Sequence, residues 1–251
     1  MTAALTGAAE RVARLVDWLR AQVTEAGAEG CVFNLSGGLD SAVVAGLCKR
    51  AWPEACLALI LPCHSQAADR EDAELVADTF GVPVKTHDLS PVYDRFLEIL
   101  GASGGREPAR GSAEAIARAN IKARLRMITA YYEANRRGYL VVGTGNRSEL
   151  AMGYFTKYGD GGVDLLPLGN LVKAQVREVA RELGVPTRII EKAPTAGLWP
   201  GQTDEGEMGL TYAELDRFLL TGEAPADLAA KLRDRMARSE HKRRLPPIAE
   251  V

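Results

Sequence analysis

Residues 31–41 read Cys-Val-Phe-Asn-Leu-Ser-Gly-Gly-Leu-Asp-Ser, and this stretch decides the fold. The apolar run over 31–35 predicts a buried strand, and the apolar residues that follow Asp40 predict a helix that begins near that residue. Glycines allow the backbone to turn its N–H groups inward, and a helix N-terminus adds partial positive charge. The loop between strand and helix is therefore suited to bind the phosphates of a nucleotide.

The loop Ser36–Ser41 differs from a Walker loop, because no Lys-Ser/Thr pair follows its glycines. Asp40, in the first turn of the helix, can instead hold a magnesium ion against the phosphates. The alternative is an ordinary strand-to-helix turn closed by a Ser or Asp cap. The full six-residue string, placed between a strand and a helix, favours nucleotide binding.

Further apolar segments alternate with helical patterns along the chain. Strands are predicted at 31–35, 55–61, 82–87 and 139–143, and helices at 40–51, 67–80 and 112–137. Such alternation is typical of a parallel sheet with right-handed crossovers. We therefore expect an α/β fold, a doubly wound parallel sheet of about five strands with helices on both faces. The 251 residues fit a single domain, with an N-terminal helix at about 8–26, a nucleotide-binding core at about 31–190, and C-terminal helices with a basic tail at about 211–251.

Composition narrows the possible classes of protein. An apolar fraction of 47% with 25% charged residues is typical of a globular protein, and a net charge of −2 argues against nucleic acid as a partner. No apolar run approaches the length of a membrane span, and the first residues do not resemble a signal peptide, so we expect no membrane partner. The four cysteines show no CxxC pair and no zinc-ligand spacing. Cys31 and Cys56 lie in apolar strands, as small buried residues do, and we expect a reducing, cytoplasmic compartment.

A second polar loop, Gly143–Glu149, follows the strand predicted at 139–143. The carboxyl ends of parallel strands meet at one edge, so this loop is expected beside the first. Thr144 can offer a hydroxyl to a nucleotide, and Glu149 can add a second carboxylate for a metal that faces Asp40. The alternative is that these residues only cap a helix. Lys173 begins another predicted helix, where a cation is unfavourable unless an anionic ligand lies nearby.

Several motifs together resemble the ammonia-dependent NAD synthetases, which belong to the PP-loop (N-type) ATP pyrophosphatases. The resemblance extends from about residue 31 to 245. The motifs that carry it are Ser36–Ser41, Gly143–Glu149, Tyr154–Asp164, Leu166–Leu168, Lys173, Pro194–Leu198 and Ser239–Arg243. The segments Phe155–Gly162 and Glu240–Arg243 are specific to NAD synthetase, whereas Ser36–Ser41 marks only the superfamily.

The resemblance implies a Rossmann-like PP-loop fold and a two-step reaction. The carboxylate of deamido-NAD attacks the α-phosphate of ATP and releases pyrophosphate, and ammonia then displaces AMP from the acyl-adenylate to give NAD. It also implies Mg²⁺ as cofactor and a homodimer. A separate glutaminase subunit remains open as the source of the ammonia.

The resemblance also assigns roles to residues. Asp40 and Glu149 are expected to bind magnesium. These two residues and Lys173 are the expected catalytic residues. The ATP contacts are Asn34, Leu35, Ser36, Gly37, Gly38, Leu39, Asp40, Ser41, Thr144, Lys173 and Thr195. The deamido-NAD contacts are Arg124, Lys157, Asp164, His241 and Lys242. One departure is Gly145-Asn146, where many NAD synthetases carry an Asp-His pair, although the spacing to Glu149 is kept.

Two alternatives belong to other classes of protein. One is another PP-loop ATP pyrophosphatase, such as a GMP-synthetase-like amidating enzyme or a tRNA-thiolating enzyme. The chain shows no cysteine pair of the kind that thiolating enzymes often use, and it is short for a GMP synthetase with its additional domains. The other is a non-catalytic ATP-binding module, against which the Asp40/Glu149 pair argues.

Overall fold

The computed structural model describes residues 7–102, 108–109, 111–194 and 204–250. At its centre is a parallel sheet. Its strands are β1 (Gly30–Asn34), β2 (Cys56–Ile60), β3 (Val84–Thr86) and β4 (Tyr139–Val142). Their order across the sheet is β3-β2-β1-β4, and all three neighbouring pairs are parallel. The predicted α/β fold with a doubly wound parallel sheet is confirmed.

Helices connect the strands and extend the chain beyond them. They are α1 (Ala8–Glu25), α2 (Leu39–Ala51), α3 (Ala67–Phe80), α4 (Ser90–Ile99), α5 (Ala113–Asn135), α6 (Arg147–Met152), α7 (Lys173–Leu183), α8 (Thr187–Glu191), α9 (Asp204–Met208), α10 (Tyr212–Thr221) and α11 (Ala226–Arg238). A 3-10 turn covers Glu240–Lys242. No helix among the described residues is long and apolar enough to cross a membrane.

The described part of the sheet has four strands, whereas the sequence predicted about five. Beyond β4, only a single parallel bridge joins Val142 to Leu165. Pro167 follows two residues later and has no backbone N–H to donate to a ladder, so the pairing does not extend into a strand.

The helices cover both faces of the sheet, because alternate residues of each strand point to opposite sides. Cys31 and Phe33 of β1 are buried in one apolar cluster with residues of α1, α2 and α7. Val32, between them, is buried in a second cluster with residues of α4 and α5. A smaller third cluster joins Met152 of α6 to residues of α10 and α11, among them Leu215 and Leu232.

This packing brings three separate segments to one edge of the sheet. β1 leads into α2, and β4, which pairs with β1, leads into α6. α7 packs against α1 and α2, so its first residue, Lys173, lies near the start of α2. Ligands bind outside the carboxyl ends of strands in open parallel sheets. The fold therefore places the candidate site where β1 and β4 end.

Candidate active site

The loop Ser36–Ser41 is held in shape by its own serines. The backbone N–H groups of Ser36 and Gly38 donate to the hydroxyls of Ser41 and Ser36, at 3.2 and 3.3 Å. The hydroxyl of Ser41 donates to the carbonyl oxygen of Gly38 at 2.9 Å. These bonds shape the turn before α2, whose N-terminus favours an anion.

Gly37 allows this loop to lie directly against α3. Its φ is +78°, in the left-handed region that favours glycine. A Cβ at this position would lie 2.4 Å from the carbonyl oxygen of Asp69 and 2.8 Å from the Cβ of Asp72. The close approach of loop and helix therefore requires a residue without a side chain.

Both interpretations of Glu149, as a helix cap and as a carboxylate of the site, fit its geometry. Asn146 is the N-cap of α6, and its side chain accepts from the backbone N–H of Glu149 at 3.0 Å. Glu149 completes the capping box, because its Oε2 accepts from the backbone N–H of Asn146 at 3.1 Å. Its other oxygen, Oε1, lies 3.5 Å from Nζ of Lys173. The cap thus occupies one carboxylate oxygen and leaves the other facing the site.

Lys173 lies at the centre of the site, and its side chain is only 3% exposed. Its Nζ donates to Oδ2 of Asp40, and it also lies 5.2 Å above the ring of Tyr212. Burial by itself lowers the pKa of Lys173, but the carboxylates of Asp40 and Glu149 outweigh it and raise the pKa above its ordinary value. Lys173 therefore stays charged. Burial and the neighbouring Asp40 raise the pKa of the Glu149 carboxyl.

The carboxylates of Asp40 and Glu149 suit a divalent cation. One oxygen of each already faces the same positive charge, that of the Lys173 ammonium. Oxygen ligands are those that Mg²⁺ prefers, and it is commonly bound by one or two carboxylates together with substrate phosphates. Among the described residues, no group of three or more His, Cys, Asp or Glu side chains is arranged to hold a metal. The donor set therefore fits a magnesium ion that is shared with bound phosphates.

The site opens into a cavity of about 740 Å³. Many of the predicted ATP-site residues line it, and so does one predicted deamido-NAD contact. The predicted residues in its wall are Asn34, Leu35, Ser36, Gly38, Leu39, Asp40, Ser41, Thr144, Glu149, Lys173 and Lys242. The others are not in its wall: Gly37, Arg124, Lys157, Asp164 and His241. Thr195 lies outside the described residues.

Three of the predicted deamido-NAD contacts lie together outside the cavity. Arg124 donates to the carbonyl oxygen of Lys157 at 3.3 Å, and Nζ of Lys157 donates to the carbonyl oxygen of His241 at 2.6 Å. Asp164 has different partners, since it accepts from the hydroxyl of Tyr131 and from the backbone N–H of Val141 in β4. The structure therefore brings Arg124, Lys157 and His241 together and gives Asp164 a bond to the sheet.

The basic tail is attached to the site by hydrogen bonds to backbone carbonyls. Nζ of Lys242 donates to the carbonyl oxygens of Gly153 and Phe155, both at 2.8 Å. Arg243 donates to the carbonyl oxygen of Leu150 at 2.9 Å. Burial lowers the pKa of Lys242 below its ordinary value. The tail therefore helps to fix the turn that follows α6.

Two cavity residues, Asp204 and Arg126, were not singled out from the sequence. Asp204 is 3% exposed and accepts from the hydroxyl of Tyr212 at 2.9 Å, but its Oδ1 has no hydrogen-bond partner among the described residues. Burial raises its pKa. Arg126 donates to the carbonyl oxygen of Leu61 and to the hydroxyl of Ser65, at 3.1 and 3.3 Å. Arg126 carried no local signal, because residues two apart on a helix, such as Arg124 and Arg126, point to different faces.

Comparisons with known proteins bear on the family and the fold of the chain. The sequence profile of the NAD synthase family matches residues 11–246. An NH(3)-dependent NAD(+) synthetase of Carboxydothermus hydrogenoformans is 51% identical over 95% of this chain and 96% of its own length. A protein of the same name from Archaeoglobus fulgidus is 48% identical over 96% of both chains.

Two solved structures are similar over nearly their whole length. An NMN synthetase from Francisella tularensis has a TM-score of 0.90 at 39% identity and covers 98% of this chain and 100% of its own. An NH3-dependent NAD synthetase from Campylobacter jejuni has a TM-score of 0.78 at 30% identity, with the same coverage. These matches favour NAD synthetase over a GMP-synthetase-like enzyme or a non-catalytic ATP-binding module. The chain belongs to the NAD synthase family.

Proposed function

We propose that this chain catalyses the ATP-dependent amidation of deamido-NAD with ammonia, which yields NAD, AMP and pyrophosphate through an acyl-adenylate. One observation carries the proposal. Asp40 and Glu149 meet at Lys173 beside the loop Ser36–Ser41, in the wall of one large cavity. A loop suited to bind phosphates, two carboxylates and a buried cation together suit the binding and cleavage of ATP. The family resemblance implies that the bond cleaved lies between the α- and β-phosphates.

The first step needs stabilisation of charge more than it needs a covalent nucleophile. A carboxylate is a poor electrophile, and transfer of AMP to the deamido-NAD carboxylate gives it a leaving group. The loop Ser36–Ser41, at the N-terminus of α2, binds the departing pyrophosphate. Lys173 is buried and stays charged, so it is suited to neutralise the charge that develops on the phosphates. When bound, Mg²⁺ supplies Lewis-acid stabilisation of the phosphates, held by Asp40 and Glu149.

Deamido-NAD is proposed to bind where Arg124, Lys157, His241 and Lys242 lie. The first three are joined through backbone carbonyls, and Lys242 is bonded to the turn at Gly153. A dinucleotide carries two phosphates, which cationic side chains bind through charge-assisted hydrogen bonds. Asp164, bonded to β4, completes the proposed contacts, and Thr195 is proposed as an ATP contact on the resemblance alone.

Product analysis tests the proposal. The purified protein is incubated with ATP and Mg²⁺, with and without deamido-NAD and ammonium salts, and the nucleotides are separated by chromatography. We expect AMP, pyrophosphate and NAD in equal amounts, formed only when deamido-NAD is present. Formation of ADP and phosphate as the main products would refute the proposal. Glutamine, with free ammonia removed, is expected not to replace the ammonium salts.

A second candidate substrate is nicotinic acid mononucleotide. One observation favours it, since the similar structure from Francisella tularensis is that of an NMN synthetase. Both substrates present the same carboxylate to the loop, and they differ only in the adenylyl half. The ratio of kcat/KM for the two substrates decides between them. We expect deamido-NAD to give the higher value, and a higher value for the mononucleotide would overturn the assignment.

We further propose a homodimer in the cytoplasm. Three side chains spaced at helical intervals on α4 are exposed, namely Val92, Phe96 and Ile99, and Ile128 and Tyr132 on α5 are exposed as well. A second copy of the chain would cover such apolar surface.

The four buried free cysteines are consistent with a reducing compartment. Sedimentation of the wild type and of a Phe96→Lys variant tests the dimer, and a monomeric wild type would refute it.

A further inference from the structure

Asn146 connects the two carboxylates of the candidate site. Its Nδ2 donates to Oδ1 of Asp40 at 3.0 Å, although the two residues are 106 positions apart in the chain. Its Oδ1 accepts from the backbone N–H of Glu149 at 3.0 Å. The backbone N–H donor requires an oxygen acceptor, so the amide nitrogen must face Asp40. One side chain therefore contacts both residues.

The result of these bonds is a common orientation of the two carboxylates. Oδ1 of Asp40 is bonded to Asn146, which leaves Oδ2 facing Lys173. Oε2 of Glu149 is bonded to the backbone of Asn146, which leaves Oε1 facing Lys173. In each carboxylate, Asn146 fixes one oxygen, and the other oxygen points to the ammonium group of Lys173.

Capping of α6 alone does not require asparagine. Asp, Ser and Thr cap a helix about as well, since the cap needs only an acceptor. An ionised Asp has no donor for Asp40 and adds a like charge, and Ser has a shorter side chain. Asn146 is fully buried, and its amide is bonded to Oδ1 of Asp40. The donor half of its amide is the part that the cap does not use.

We propose that Asn146 is a positioning residue for the metal-binding carboxylates, which it orients toward one point before the metal arrives. The inference rests on the proposed function, in which Asp40 and Glu149 hold Mg²⁺. Residues that orient the ligands of a metal are a general feature of metal sites, and their loss commonly weakens metal binding about tenfold or more. It also gives a role to the asparagine of the Gly145-Asn146 pair.

The test separates the cap from the positioning role. In Asn146→Ser, the hydroxyl retains the cap but is too short to reach Asp40. Binding of Mn²⁺, used in place of Mg²⁺, is measured by electron paramagnetic resonance in the presence of α,β-methylene ATP, which is not cleaved at the α–β bond. We expect Asn146→Ser to bind Mn²⁺ about tenfold more weakly than wild type, and its urea unfolding midpoint to fall because a buried hydrogen bond is lost. We also expect its KM for Mg²⁺ to rise more than its kcat falls.

Thr211→Ala is the matched control. Thr211 and Glu214 form the capping box of α10, and both are exposed. This variant is expected to lose stability and to bind Mn²⁺ as the wild type does. Wild-type affinity for Mn²⁺ in Asn146→Ser would overturn the inference, as would equal losses of affinity in the Ser variant and the control. If the wild type makes AMP and pyrophosphate, the proposed function holds even when one of these results overturns the role of Asn146. A wild type that binds no Mn²⁺ overturns the metal site and this inference together.

Discussion

Gly37→Ala tests whether the loop Ser36–Ser41 is shaped by its contact with α3. An alanine here keeps the φ of +78°, and the left-handed conformation costs a non-glycine residue about 1–2 kcal/mol. Its Cβ would also meet the carbonyl oxygen of Asp69 at 2.4 Å, and that atom belongs to helix backbone and cannot swing away. Overpacking of this kind costs about 1–3 kcal/mol. The variant should therefore lose about 2–5 kcal/mol in its free energy of unfolding.

Gly81→Ala provides the matched control. Gly81 ends α3 with a φ of +62°, but nothing lies within 4 Å of an added Cβ. This variant should lose only the conformational cost of about 1–2 kcal/mol. Urea unfolding, followed by tryptophan fluorescence, gives both values.

Nucleotide affinity gives an independent measure of the same contact. If the loop moves away from α3 to relieve the clash at Gly37, it also leaves the position in which it is proposed to bind phosphate. Calorimetry should then show weaker binding of α,β-methylene ATP to Gly37→Ala than to Gly81→Ala. Equal losses of stability and equal nucleotide affinities in the two variants would refute the reasoning.

Three further predictions concern charged side chains. Asp40→Asn should lower kcat about a hundredfold. It should also destabilise the fold by about 1–3 kcal/mol, since it removes a charged partner of the buried Lys173. Near-normal turnover at modest Mg²⁺ would count against Asp40 as a metal ligand. Glu133 is 1% exposed, and although burial raises its pKa, the bonded Arg137 and Lys85 lower it below the ordinary value of 4.5. Because the pKa of Glu133 is lower in the folded state, its ionised carboxylate stabilises the fold above pH 4.5. This stabilisation is lost as the pH falls below that value. Glu133→Gln should therefore be about 1–3 kcal/mol less stable than wild type at pH 7, and this difference should narrow in acid. A difference in the free energy of unfolding that stays constant with pH, measured with urea, would contradict this. Lys242→Met should raise KM for deamido-NAD more than KM for ATP, and unchanged kinetics would leave Lys242 only a structural role.

The fold was largely predictable because its signals are local. The apolar run over 31–35, the glycines and the helix from Asp40 adjoin one another in the chain, and β1 and α2 form where that pattern places them. The strand count was less predictable. Whether the residues around Leu165 extend the sheet depends on partners across it, and Pro167 limits the pairing to one bridge.

The site was predictable in part for the same reason. The roles of Asp40, Glu149 and Lys173 could be expected from their motifs, and the structure places the three in contact. The motifs could not show that Glu149 serves in a helix cap and faces the site at once, because a carboxylate has two oxygens and only tertiary packing assigns them. Asp204 gave no signal, since nothing in the local sequence distinguishes it from the neighbouring acidic residues Glu205 and Glu207.

The sequence by itself determined the parallel α/β architecture, the glycine loop between β1 and α2, and the family, since each depends on contiguous or regularly spaced residues. Only the tertiary structure decided that Asn146 bonds to Asp40, that Lys242 holds the turn after α6, and that Lys173 stays charged while buried. Those properties arise from pairs of groups far apart in the chain. Their energies depend on distance and burial, and these are fixed only when β1, β4 and α7 pack together.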